Sequence, residues 1–277
     1  DVNLIVDKNT LVFQHNGRPF QIDEIVNLIC HGSTKGPEDI GRFGTGFLTT
    51  HLLSRKVVVK AMLATKELVK FTINREASSP DEIKILIDKS LKECRLSAKP
   101  IEGKIDVTTE YLYEIQDGLA EEITSGITEL KNIIPYILAL NNEFHTISVK
   151  TEREQSVFSL SEEKQSDGYV TKTIKEDGIQ LSPPHKIWVL GNDKNQVEIA
   201  LKVRQRDDKY FLEDISTVPK IFLAFPLFKT SDLPFPIIIN SKRFVPLEKR
   251  DGIWLSEADT DDNISNKLLI KEAGELF

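Results

Sequence analysis

The chain has 277 residues and a formal net charge of −7, with 40% hydrophobic and 29% charged residues. That length suits one large or two ordinary domains with ample core, and the composition excludes a disordered or fibrous chain. The charge argues against a general nucleic-acid binder, and no apolar run reaches the roughly 20 residues needed to span a bilayer.

Two cysteines, Cys30 and Cys94, are too few for a disulfide scaffold, and no Cys and His stand at zinc spacing. No signal peptide is visible. A soluble, cytoplasmic protein with reduced thiols and no membrane partner is expected.

Val2 to Val6 reads as a strand, and Leu11 to Phe20 as a second strand running into an Asn16-Gly17 turn. Ile22, Ile25, Val26 and Ile29 recur at helical spacing and predict a helix from Ile22 to Cys30. His31-Gly32-Ser33-Thr34-Lys35 follows, then Ile40-Gly41-Arg42-Phe43-Gly44-Thr45-Gly46-Phe47-Leu48. Its three glycines stand at G-x-x-G-x-G spacing, directly before apolar residues at helical spacing (Phe47, Leu48, Leu52, Leu53). Glycine admits positive φ and close backbone approach, so successive N–H groups can converge on one point. A helix opening there adds unpaired N–H groups and the positive end of its dipole, which makes an anion cradle suited to phosphates. A tight, closely packed turn is the alternative. A Rossmann loop has other glycine spacing, and a Walker A loop needs Lys-Ser/Thr where Phe47-Leu48 stands.

The order strand, Asn-Gly turn, helix, Ser-Thr-Lys, G-x-x-G-x-G-F, helix, strand resembles the GHKL superfamily, whose ATP-binding Bergerat fold is shared by heat shock protein 90, DNA gyrase B, MutL and histidine kinases. It looks most like the branch containing heat shock protein 90 and the sacsin-type repeats. The match covers Leu11 to Val59 well and the rest loosely. The resemblance implies an ATP and Mg2+ site in which Gly41, Arg42, Phe43, Gly44, Thr45, Gly46 and Phe47 cradle the phosphates. Lys35 would neutralise phosphate charge, and Ser33 and Thr34 would cap the lid or touch ribose and phosphate. In the family a D-x-G-x-G turn holds the adenine. Here it reads His15-Asn16-Gly17-Arg18-Pro19, so Gly17 matches while His15 and Pro19 depart from the pattern. Asn16 or His15 would then read the base. The family's general-base Glu and magnesium-binding Asn lie on a helix before the first strand, upstream of Asp1, so little ATP turnover is expected from this stretch alone.

Beyond the glycine loop, Lys56 to Met62 and Glu67 to Asn74 predict an antiparallel hairpin, and Asp81 to Arg95 a helix. Lys104 to Ile115 reads as a strand, its threonines resembling the family's last core strand. Leu119, Ile123, Ile127, Leu130, Ile134 and Leu138 form the clearest helical stripe, with a kink or restart expected at Pro135. Leu119 to Leu140 is read as a connection between domains, or alternatively as a core helix of one domain. From Thr146 the pattern is a series of strands punctuated by Asp-Gly and Gly-Asn turns, Ile221 to Phe225 being the strongest buried candidate. Pro236 to Asn240 is the last strand and Ile264 to Leu276 the closing helix.

The expected fold is α+β. A two-layer sandwich of the Bergerat type occupies 1–117, a connecting helix 118–141, and a β-rich, transducer-like domain 142–277. In related ATPases a basic side chain from the second domain reaches the terminal phosphate. Arg250, beside Glu248, Lys249 and the Asp251-Gly252 turn, is the first choice for this role, and Lys242 the second. The expected function is an ATP-binding module of a larger protein, a slow magnesium-dependent ATPase acting as a conformational switch in a chaperone-like or defence role. Partners would be ATP or ADP, a second copy in an ATP-dependent dimer, and client proteins or further domains. A scaffold that binds ATP without hydrolysis, or an interaction domain without nucleotide, are the alternatives.

Overall fold

The computed structural model describes residues 1–30, 50–178, 183–192, 196–247, 249, 251–258 and 260–277. The chain is mixed α/β and divides into two compact units, Asp1–Gly126 with Ser148–Gln155, and Ile127–Ile147 with Ser156–Phe277.

The first unit contains β1 (Val2–Val6), β2 (Thr10–His15), α1 (Ile22–Cys30), β3 (Lys56–Met62), β4 (Glu67–Asn74), α2 (Pro80–Ser97), β5 (Lys99–Pro100) and β6 (Thr109–Glu114). Its strands pair antiparallel in the order β1-β2-β6-β3-β4-β5. Alternation decides which face is buried. Val57, Val59 and Ala61 of β3, Val69, Phe71 and Ile73 of β4, and Tyr111 and Tyr113 of β6 point one way. There they meet Ile25 and Ile29 of α1 and Ile87 and Leu91 of α2. The opposite face carries the polar row Lys60–Glu110–Gln14, joined at 2.6 and 2.8 Å. Two layers result, helices on sheet.

Helix α2 also protects the free edge of β4, an edge that would otherwise invite another strand. Its Ser97 Oγ and Glu93 carboxylate accept from the N–H groups of Lys70 and Thr72, and Ser90 Oγ donates to Thr72 O. The C-terminal end of α1 is capped by Arg75, whose guanidinium donates to the Ile29 carbonyl. The strand expected over Lys104 to Ile115 is confined to Thr109–Glu114. Gly103 turns there at φ 98°, and the regular pairing with β2 and β3 begins only at Thr109.

Helix α3 (Ala120–Leu140) runs through Pro135 without the restart that was one of the two outcomes expected there. Ile133 to Leu140 are all buried, which offsets the roughly 3 kcal/mol cost of an interior proline. Strand β7 (Thr146–Thr151) follows, and Ser148 in the first unit donates to Asn3 Oδ1 at 2.6 Å.

The second unit is built on β8 (Gln155–Ser166), β9 (Tyr169–Asp177), β10 (His185–Asn192) and β11 (Val197–Arg206), an antiparallel meander. The far edge of β11 is shared by two short strands, β12 (Lys209–Leu212) near one end and β15 (Ile238–Asn240) near the other. Strand β13 (Ile221–Leu223) runs parallel to β15, and β14 (Phe225–Pro226) folds straight back onto it. The strand expected to run unbroken from Ile221 to Phe225 therefore reverses at Ala224, which stands at φ 61° with its N–H held by Asn240 Oδ1 at 3.0 Å. Helix α4 (Asp261–Leu276) packs Leu269 and Ala273 against Val197, Ile199, Leu201 and Val203 of β11. Among the described residues no helix is long and apolar enough to cross a membrane.

Candidate functional site

Strand β2 ends at His15, and the chain then turns toward α1 with its carbonyls fixed from across the sheet. The Thr108 hydroxyl donates to Gly17 O at 2.8 Å and reaches His15 O at 3.1 Å, while Thr108 N donates to His15 O at 3.0 Å. The turn folds on itself as well, Gly17 N donating to His15 Nδ1 at 3.1 Å. The Asn16 side chain is engaged by Asp1, its Nδ2 donating to the Asp1 carboxylate at 2.8 Å. Arg18 pairs with Glu24, whose carboxylate also accepts from Gln21 N at 2.8 Å in the manner of a capping box at the start of α1.

The register then places a second threonine. His15 opposes Thr109, and Thr109 opposes Ala61 on its other side. Directly opposed residues share a face, so His15 and Thr109 lie on the face covered by α1 and α2. Thr109 is 1% exposed, and its Oγ1 has no hydrogen-bond partner among the described residues. Burial first, and the chain's amino group second, hold the His15 imidazole below its ordinary pKa, so the ring is neutral near pH 7. The arrangement places the His15 ring and the buried Thr109 hydroxyl on one face of neighbouring strands, next to the turn.

Of the residues singled out in the sequence, His15, Asn16 and Gly17 stand together here. Ser33, Thr34, Lys35, Gly41, Arg42, Phe43, Gly44, Thr45, Gly46 and Phe47 lie outside the described residues. So do Glu248 and Arg250. Lys242 belongs to the second unit, exposed in the turn after β15. Downstream, Lys249 lines a cleft of about 590 Å³ with Leu233, Leu247, Ile253 and Trp254. The loop that carries it is pinned from beneath by Asn266 of α4. Asn266 Oδ1 accepts from Val245 N at 2.8 Å, and its Nδ2 donates to Val245 O at 2.9 Å and Trp254 O at 3.1 Å.

Sequence reasoning noted the Thr-containing strand between Lys104 and Ile115 but did not name Thr108 or Thr109 individually. Among the described residues no group of three or more His, Cys, Asp or Glu side chains is placed to hold a metal ion. No known family model and no curated protein matches this chain.

Proposed function

We propose that the first unit is a nucleotide-binding domain of the GHKL kind, with a Bergerat-type sandwich, ATP as the ligand the resemblance implies, and the glycine loop as its phosphate cradle. The observation that carries this reading is the strand–turn–helix formed by β2 and α1, whose turn holds His15, Asn16 and Gly17 where the resemblance expects the base-binding turn. The helices-on-sheet layering supports the same reading, because it places the turn and α1 at one face of the sheet. A transducer-like role for the second unit, with Arg250 or Lys242 meeting the terminal phosphate, and a slow magnesium-dependent hydrolysis complete the proposal. His15 and Pro19, which depart from the family turn, favour as a second reading a scaffold gated by nucleotide without hydrolysis.

Calorimetric titration with ATP and Mg2+ tests the reading, with Gly44→Val and Gly46→Val as partners. Saturable binding by the parent that either substitution abolishes, with the circular dichroism spectrum unchanged, supports it. Binding by both variants as tight as the parent's would put the phosphates elsewhere.

A further inference from the structure

We propose that the outer edge of β12 is a docking strand for a second copy of this chain, the two β12 strands pairing antiparallel about a two-fold axis through Phe211. The inference concerns the second unit and does not depend on the nucleotide reading.

The hairpin of β11 and β12 fixes which backbone groups are left over. Arg204 opposes Phe211, Arg206 opposes Lys209, and Glu213 N donates to Lys202 O at 2.9 Å just past the strand. Backbone groups of an antiparallel strand alternate sides, so those of Lys209, Phe211 and Glu213 face β11. The N–H and C=O groups of Tyr210 and Leu212 face away, and among the described residues no strand pairs with β12 on that side. The side chains are equally unfinished. Tyr210 is 46% exposed, Phe211 48% and Leu212 48%, successive large apolar residues on both faces of an edge strand. Such an edge is a template for another strand unless a helix, a proline or an inward charge blunts it. The edge of β4 is closed by α2 in this way.

Self-complementarity chooses a second copy as the occupant. When Phe211 opposes the partner's Phe211, Tyr210 opposes the partner's Leu212, and these are the residues whose N–H and C=O groups face outward. Every outward group of one strand then finds its match in the other. The same register sets Lys209 against the partner's Glu213, and by symmetry Glu213 against the partner's Lys209. Those positions fall in non-hydrogen-bonded pairs, where opposed side chains approach most closely. A shift of two residues either way loses the charge match, setting Asp207 or Phe211 against the partner's Glu213. The strand is also preformed. Tyr210 rests on Trp188 with ring centroids 4.9 Å apart, and Trp188 on Tyr169 at 4.8 Å, so little ordering is left for association to impose.

Sedimentation velocity on the intact chain measures the association, and a concentration-dependent monomer–dimer equilibrium is expected. Phe211→Glu puts two carboxylates face to face across the axis and is expected to weaken the dimer about tenfold or more. Leu212→Pro removes an outward N–H that β11 does not use and is expected to act in the same direction. Phe211→Cys tests the register, because on the axis its sulfurs meet at disulfide distance. Diamide is expected to cross-link it faster than Tyr210→Cys and faster than the parent, which sets the background from the exposed Cys30. A parent that stays monomeric at every concentration overturns the inference. So does a dimer that Phe211→Glu and Leu212→Pro both leave intact, or cross-linking of Phe211→Cys no faster than that of Tyr210→Cys.

Discussion

Two buried threonines, one in each unit, are treated in opposite ways. Thr230 in the second unit is 3% exposed, and its Oγ1 accepts from Lys220 N at 3.0 Å and Ile221 N at 3.1 Å while donating to Leu227 O at 2.6 Å. Thr109 in the first unit is 1% exposed, and its Oγ1 meets no partner among the described residues. The same habit runs through the second unit. Asn266 clamps Val245 and Trp254, Asn240 joins Ala224 to Glu198, and the buried Lys220 ammonium donates to Ile215 O and Val218 O. There, buried polar side chains replace secondary structure where short strands and loops leave backbone groups unpaired. Around Thr109 the β2–β6–β3 ladder is regular, so its hydroxyl has no backbone left to satisfy. A polar group that serves no architecture is a better marker of recognition than a polar group that does.

The largest effect expected from this contrast belongs to Asn266→Ala. It removes three part-buried hydrogen bonds, to Val245 N, Val245 O and Trp254 O, and a loss of about 3 kcal/mol in urea unfolding is expected. A loss below about 0.5 kcal/mol would show that the loop rearranges and that Asn266 is not its clamp. Thr230→Val comes next at about 2 kcal/mol, because Lys220 N, Ile221 N and Leu227 O all lose the same hydroxyl.

Acidification should act on both units in the same direction. Burial lowers the pKa of His15, His51 and His185. For His185 the Lys202 charge adds to this, and Glu176, 3.8 Å away and too far for a hydrogen bond, partly restores it. A base whose folded pKa lies below its unfolded value takes up a proton more readily when unfolded. Stability is then complete above the ordinary imidazole value of about 6.5 and declines as pH falls through the lowered folded values. Urea midpoints at about pH 7.5 and 5.5 test the sign, and His15→Gln and His185→Gln separate the share of each unit. A midpoint that rises on acidification contradicts the assignment.

The smallest loss is the most telling. Thr109→Val should not lower stability and should raise it by up to about 1–3 kcal/mol, since no hydrogen bond is lost and a buried, unsatisfied hydroxyl is removed. The same substitution that weakens the second unit at Thr230 would then cost nothing in the first. A loss of about 2 kcal/mol at Thr109 would erase the distinction between the two.

Much of the secondary structure was legible because it is local. Helix Ile22–Cys30 and the hairpin Lys56–Met62 with Glu67–Asn74 fall where periodicities of 3.6 and 2 place them. Gly17 and His15 were legible too, since a turn between strand and helix is written in consecutive residues. The restart expected at Pro135 did not occur; a propensity rule sees the missing N–H and not the burial around it. The reversal at Ala224 escaped notice because its cause, the amide of Asn240, lies 16 residues away.

The sequence by itself determined which stretches become strands and helices and which face of each is apolar, because those depend on neighbours three or four residues away at most. Tertiary structure decided the strand order that brings Thr108 to His15 across 93 residues and sets Thr109 opposite that histidine. It also decided that β11 shares one edge between β12 and β15, and that Ser148–Gln155 returns to the first unit. Pairing between distant strands is chosen by the burial of whole faces and the closure of every backbone hydrogen bond, quantities that no local window of sequence contains.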